Sequence, residues 1–143
     1  MECGAILIVQ DLDDGCPLHE ARHLALQIQQ RQLAVPVAVV LAHREYEAWF
    51  LASIETLAGH RGLPAGLTYM GNVEDRRGAK EWLTKQMPPG RAYKETVDQV
   101  KFTQLIDFGV AQQRSRSFRR LSHAIEQVLT AAETPQRGYV TPL

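Results

Sequence analysis

Residues 5–14 read AILIVQDLDD, an aliphatic run that ends in three aspartates. The apolar part is short and partly β-branched, which predicts a strand buried on both faces. Carboxylates are costly to bury, so we expect Asp11, Asp13 and Asp14 at the carboxyl end of this strand, where open α/β sheets bind ligands. Asp11 and Asp13 point to the same side of an extended segment, and two such oxygen donors suit Mg²⁺ or Mn²⁺. Alternatively, Asp13 or Asp14 caps the helix that follows.

The chain after these aspartates predicts a βαβ unit. Pro17 suits the first turn of a helix, and apolar residues at helical spacing continue through about Gln32. Residues 35–41 read VPVAVVL and predict a second strand. A right-handed crossover makes the two strands parallel, so their carboxyl ends share one edge of the sheet.

A second group of carboxylates follows the second strand. Glu45 and Glu47 begin a helix predicted over residues 45–58. Because positions i and i+2 of a helix diverge, we expect only one of these glutamates to face Asp11 and Asp13. Clustered carboxylates repel one another, and a divalent cation relieves that repulsion. The cluster therefore predicts a metal site of two aspartates and one glutamate.

The rest of the chain is predicted to be mostly helical. Residues 59–78 are predicted to be a loop, residues 79–86 a short helix, residues 97–108 a helix, and residues 115–132 a long helix. The fold class is therefore α/β, with a small parallel sheet flanked by helices and a helical C-terminal part. We expect a single domain over residues 1–133 and a flexible tail over residues 134–143.

Composition excludes several classes of protein. The 143 residues carry no formal net charge, so any site for a polyanion must be a local patch. No apolar stretch approaches the roughly 20 residues that a membrane span needs, and no signal-peptide pattern is present. Two cysteines, Cys3 and Cys16, do not indicate a disulfide scaffold. We expect a cytoplasmic protein without membrane contact.

A rival metal site lies in the first predicted helix. The segment His19-Glu20-Ala21-Arg22-His23 matches H-E-x-x-H, in which two histidines one turn apart bind zinc and the glutamate acts as a base. Cys16 offers a further ligand beside the two histidines. Arg22 lies between the two histidines, and its positive charge disfavours a zinc ion beside it. A site made of Cys16, His19 and His23 would also need a fourth ligand, and none is evident. The alternative is that both histidines simply face solvent.

Basic residues collect near the predicted start of the last helix. Arg116, Ser117 and Arg119 lie in a run of arginines and serines. A helix N-terminus attracts anions, and arginine and hydroxyl groups suit phosphate. The alternative is a solvated charged face. Lys80 and Lys94 are single lysines in polar contexts and mean little alone.

Five segments together resemble a known family. They are Asp11–Asp14, Glu45–Leu51, Lys80–Leu83, Tyr93–Val97 and Arg116–Arg120. In this combination the chain resembles the bacterial domain-of-unknown-function family four-two-seven-six. That family is similar to Toprim domains, the metal-binding α/β fold of topoisomerases, primases and some nucleases. Its members are often associated with ATPases in bacterial defence loci.

The resemblance implies roles for individual residues. Asp11 and Asp13 match the D-x-D pair of Toprim-like domains. The glutamate that ends an earlier strand in those domains has no counterpart here. Two explanations stay open: the sequence is a truncated or misannotated reading frame, the C-terminal portion of a longer Toprim-like domain, or it is a domain that lost the site.

The resemblance also implies a function, a metal-dependent nucleic-acid phosphodiesterase with an ATPase protein partner. Its metal would be Mg²⁺ or Mn²⁺ on Asp11, Asp13 and Glu45 or Glu47. Glu47 and Lys80 would join the two aspartates in catalysis, and phosphate groups would be held by Lys94, Arg116, Ser117 and Arg119. Two alternatives stay open, a non-catalytic module that docks on an ATPase, and a zinc hydrolase that uses His19, Glu20 and His23.

Overall fold

The computed structural model describes residues 4–134 and 136–143. These residues form a mixed α/β fold with a small parallel sheet and a mostly helical C-terminal part. In chain order the elements are β1 (Ile6–Leu12), α1 (Pro17–Gln29), β2 (Val37–His43), α2 (Ala48–Ala52), α3 (Ile54–Leu57), α4 (Ala79–Gln86), α5 (Val100–Thr103), α6 (Phe108–Arg114), α7 (Arg116–Glu133) and β3 (Val140–Thr141). A 3₁₀ turn covers Val73–Asp75, and a π-helical turn covers Glu95–Gln99.

Contacts divide the chain into two compact units. Unit 1 comprises Met1–His43 and Ser117–Leu143, and unit 2 comprises Arg44–Arg116. Unit 1 therefore contains all three strands, α1 and nearly all of α7. Unit 2 contains α2 to α6 and the two turns.

The sheet of unit 1 is parallel and has the order β1-β2-β3. Ile6 pairs with Val37, and Leu12 pairs with His43, so β1 and β2 end at the same edge. On the other side of β2, Val37 pairs with Val140 of β3. The central strand β2 is buried over most of its length because it has a neighbour on each side. The predicted parallel βαβ unit is confirmed.

The core of unit 1 lies between α1 and the sheet. Ala21 and Ala25 of α1 are buried in one cluster with Val39 and Leu41 of β2 and with Val140 of β3. Small residues on α1 let the helix approach the strands closely, and burial of the aliphatic side chains stabilises the layer.

Several element boundaries differ from the predictions. β1 continues to Leu12, so Asp11 lies inside the strand. Pro17 begins α1 as predicted, but the N-cap is Cys16, which makes no side-chain capping bond. The prediction that Asp13 or Asp14 caps this helix is therefore wrong.

The helix predicted over residues 45–58 is split at Ser53. This residue has φ −131° and ψ 32°, which separates α2 from α3. Its hydroxyl oxygen accepts a hydrogen bond of 2.8 Å from the backbone N–H of Asp107. This bond connects the break to Asp107, the N-cap residue of α6.

The C-terminal half departs from the predictions at two places. The predicted helix over residues 97–108 is instead the π-helical turn, α5 and the start of α6, whereas α4 and α7 confirm their predictions. The tail expected to be flexible contains β3, whose Val140 and Thr141 are buried. No helix within the described ranges is long and apolar enough to cross a membrane.

Candidate functional site

The predicted aspartate pair lies at the carboxyl end of β1, in unit 1. Asp11 is the penultimate residue of the strand and pairs in register with Ala42 of β2. Asp13 follows the last residue of the strand, and both aspartates are exposed. Exposed carboxylates at this edge can meet a hydrated cation without the cost of burying charge. The position is the one at which parallel sheets bind ligands.

The donor set of this pair suits a hard divalent cation. Within residues 4–134 and 136–143, no three His, Cys, Asp or Glu side chains are grouped to hold a metal ion. A cation on Asp11 and Asp13 would take its remaining ligands from water and phosphate oxygens. Mg²⁺ is commonly bound in this way, by one or two carboxylates together with substrate phosphates.

Glu45 lies in unit 2 and stabilises the start of α4. Its Oε1 accepts a hydrogen bond of 2.9 Å from the N–H of Gly78, and its Oε2 accepts one of 3.2 Å from the N–H of Lys80. These amides lack partners within the helix, and a negative charge there also favours the helix dipole. The structure thus gives Glu45 a local structural role, and its role as a metal ligand stays a prediction.

Glu47 is a fully buried carboxylate in unit 2, with an exposed fraction of 0%. Its Oε1 accepts hydrogen bonds from the Tyr93 hydroxyl at 2.7 Å and from the Gln99 amide at 3.0 Å. Its Oε2 has no hydrogen-bond partner among the described residues, and the Lys80 ammonium lies 3.9 Å away. Lys80 also forms an ion pair with Glu95. The structure therefore brings two predicted catalytic residues, Glu47 and Lys80, together.

The surroundings of Glu47 favour its neutral form. Burial raises the pKa of Glu47 above its ordinary value of 4.5, and the hydrogen bonds from Tyr93 and Gln99 and the charge of Lys80 only partly oppose this effect. Burial and the hydrogen bond to Glu47 raise the pKa of the Tyr93 hydroxyl, so Tyr93 remains a donor. Glu47 thus accepts a proton more readily than a glutamate in water.

A second buried carboxylate, Asp98, is one that sequence reasoning missed. It is 2% exposed, and its Oδ1 accepts hydrogen bonds from Arg61 at 2.7 Å and from Arg91 at 3.0 Å. Burial alone raises the pKa of Asp98, but the bond from Arg61, the N–H of Lys94 and the charges of both arginines outweigh it and hold the pKa below its usual range. Asp98 lies in the π-helical turn, whereas Arg61 is 37 residues earlier in the chain, so no local pattern signals that the two residues pair.

The predicted phosphate-binding residues occupy different environments. Arg116 and Arg119 are exposed near the start of α7, and Lys94 is exposed in unit 2. Ser117 is only 1% exposed, so its hydroxyl is not presented to a ligand from solvent. The structure therefore gives no support to the prediction that Ser117 binds phosphate.

The H-E-x-x-H segment lies on α1. The Nδ1 of His19 lies 3.2 Å from Glu20, and the Nε2 of His23 lies 3.1 Å from the side chain of Gln27. Cys16 is exposed at the start of the helix. Across the part of the chain that the structure describes, these side chains do not form a group of three that could hold a metal ion.

A comparison with protein families identifies where this chain belongs. The model of the domain of unknown function DUF4276 matches residues 5–126. The chain belongs to this family. The DUF4276 match covers the aspartate pair, Glu47 and Lys80, and it ends before β3. Searches of curated proteins and of solved structures find no significant match.

Glu47 makes the stability of this DUF4276 chain depend on pH. Because its pKa is raised in the folded state, the folded protein binds the extra proton, and stability falls as the pH rises from about 4.5 through the folded pKa. Glu47→Gln keeps an oxygen acceptor for Tyr93 and Gln99 and removes the charge. We expect this variant to be more stable than the wild type at neutral pH, with the difference shrinking in acid.

Urea unfolding at several pH values measures this effect. Glu81→Gln is the matched control, because Glu81 is an exposed glutamate of α4. If the stabilities of the wild type and of Glu47→Gln depend on pH in the same way, the pKa of Glu47 does not change on folding. That result would contradict the prediction.

Proposed function

We propose that the chain is a metal-dependent nucleic-acid phosphodiesterase in which Asp11 and Asp13 hold Mg²⁺ or Mn²⁺. The supporting observation is the exposed carboxylate pair at the carboxyl end of a parallel strand. A divalent cation held there would stabilise charge on phosphate oxygens and lower the pKa of a bound water.

The proposed reaction is hydrolysis of a phosphodiester bond. A water oxygen forms a bond to phosphorus, the bond from phosphorus to the leaving sugar oxygen breaks, and that oxygen takes up a proton. Arg116 and Arg119, exposed and three residues apart on α7, would contact backbone phosphates. Contacts of this kind position nucleic acid without reading its sequence.

Glu47 and Lys80 enter the proposal as positioning residues. Glu47 is buried and cannot touch substrate, so its part is to orient Lys80 and Tyr93 within unit 2. Lys80 lies between the carboxylates of Glu47 and Glu95. Ser117 is left out of the proposed site because it is buried.

An ATPase protein partner in bacterial defence belongs to the same proposal and rests on the resemblance. The alternative function is a non-catalytic module that docks on such a partner. One observation favours it: among the described residues, the aspartate pair has no third protein ligand for a metal.

Cleavage assays separate these two functions. Purified protein is incubated with labelled DNA and, separately, with labelled RNA, in the presence of Mn²⁺ or of Mn²⁺ with excess chelator. We expect cleavage of at least one substrate with Mn²⁺ and none with chelator. Intact DNA and RNA in both conditions would contradict the phosphodiesterase and favour the interaction module.

A further inference from the structure

A surface cavity of unit 2 lies beside the buried Asp98. It has a volume of about 400 Å³ and is lined by Gly90, Arg91, Ala92, Lys94, Val97 and Asp98. Two of the lining residues are cations, and the Arg91 side chain is 38% exposed. The cavity is large enough for a small anion and presents positive charge to it.

The guanidinium of Arg91 is held in place by two hydrogen bonds. Its Nη2 donates to Asp98 at 3.0 Å, and its Nε donates to the carbonyl oxygen of Arg61 at 2.8 Å. The side chain also passes close to Gly62, which has φ +90°, and a Cβ added at this position would lie 2.8 Å from the Nε of Arg91. An arginine fixed in this way loses little conformational entropy when it binds a ligand.

Asp98 also connects both cationic residues of the cavity. Its Oδ2 accepts the backbone N–H of Lys94 at 2.9 Å, across a π-helical turn of the kind that often occurs at functional sites. Arg61 supplies the other hydrogen bond to Asp98 Oδ1, at 2.7 Å. Asp98 therefore holds the guanidinium of Arg91 near the backbone of Lys94.

The charges of the cluster do not balance. Arg61, Arg91 and Lys94 carry three positive charges against the single negative charge of Asp98, an excess of two. The neighbouring Glu95 forms its ion pair with Lys80. Among the described residues no carboxylate pairs with the Lys94 ammonium. Of the residues that line the cavity, Arg91 and Lys94 outweigh Asp98 by one positive charge, which an anion would neutralise.

From these observations we propose that Arg91 and Lys94 form a binding pocket for the phosphate group of a ligand. The planar guanidinium can donate two parallel hydrogen bonds to phosphate oxygens, and the ammonium adds a mobile charge. The phosphate could belong to a nucleic-acid backbone or to a small phosphorylated molecule. The inference goes beyond the proposed phosphodiesterase, because binding here requires no metal and no hydrolysis.

Calorimetric titration with inorganic phosphate and with pyrophosphate tests the pocket, without divalent cation so that nuclease activity has no influence. We expect Lys94→Ala to weaken binding about tenfold, which corresponds to the loss of one charge-assisted hydrogen bond. Arg91→Lys keeps the charge but loses the fork of donors, so it should also weaken binding. Lys101→Ala, in an exposed lysine of α5, is the control and should bind as the wild type does.

A labelled single-stranded oligonucleotide distinguishes the two sources of phosphate. Anisotropy that depends on Lys94 would assign the pocket to a nucleic-acid backbone, whereas binding of pyrophosphate alone would assign it to a small phosphorylated ligand. Thermal unfolding of each variant verifies its fold. The proposal is overturned if none of the three probes binds the wild type, or if folded Lys94→Ala and Arg91→Lys bind as tightly as Lys101→Ala.

Discussion

Asp11→Asn and Asp13→Asn are each expected to lower Mn²⁺-dependent cleavage of nucleic acid at least about 100-fold. The amide has almost the size of the carboxylate but lacks the negative charge that attracts a divalent cation. Both side chains are exposed, so neither substitution disturbs the core of unit 1. A loss of cleavage would therefore report on the site rather than on folding.

Asp14→Asn provides the matched control for these two variants. Asp14 belongs to the same acidic stretch and is also exposed, but it lies outside the proposed metal pair. We expect its cleavage rate to stay close to that of the wild type. Equal rates in the wild type, Asp11→Asn and Asp13→Asn would contradict the roles proposed for the pair, even if the protein cleaves nucleic acid.

Asp98→Ala is expected to lower the free energy of unfolding by about 2–4 kcal/mol. The substitution leaves Arg61 and Arg91 near each other without their shared carboxylate, and it removes the acceptor of the Lys94 N–H. The loss stays below that of a fully buried ion pair because the two arginine side chains are 30% and 38% exposed, and water screens part of their charge.

Chemical denaturation at neutral pH measures this loss, with Asp75→Ala as the control. Asp75 is an exposed aspartate of unit 2, and its removal should change stability by less than about 0.5 kcal/mol. Because the pKa of Asp98 is lowered in the folded state, its stabilisation is complete above about pH 3.8 and is lost as the pH falls through the folded pKa. Equal stability of the two variants at neutral pH would refute the role given to Asp98.

Local sequence signals were sufficient to predict the layer that contains the aspartate pair. The aliphatic runs of β1 and β2 and the apolar spacing of α1 are each contained in a few consecutive residues. β3 has only two residues, and its pairing partner Val37 is distant in sequence. A strand that forms through one non-local pairing carries no periodic pattern, so the sequence predicted a flexible tail there.

The environments of Glu47 and Asp98 could not be predicted for the same reason. Tyr93 and Gln99, the hydrogen-bond donors to Glu47, lie 46 and 52 residues further along the chain. Arg61 precedes Asp98 by 37 residues. The family resemblance predicted Glu47 and Lys80 as catalytic residues, but only the folded structure shows that Glu47 is buried.

Binding of Mn²⁺, measured by calorimetry without nucleic acid, tests most directly whether Asp11 and Asp13 form a metal site. We predict that the wild type and Asp14→Asn bind one Mn²⁺ per chain, and that Asp11→Asn and Asp13→Asn bind it at least about tenfold more weakly. Absence of Mn²⁺ binding to the folded wild type, or equal affinity in all four proteins, would contradict the metal site.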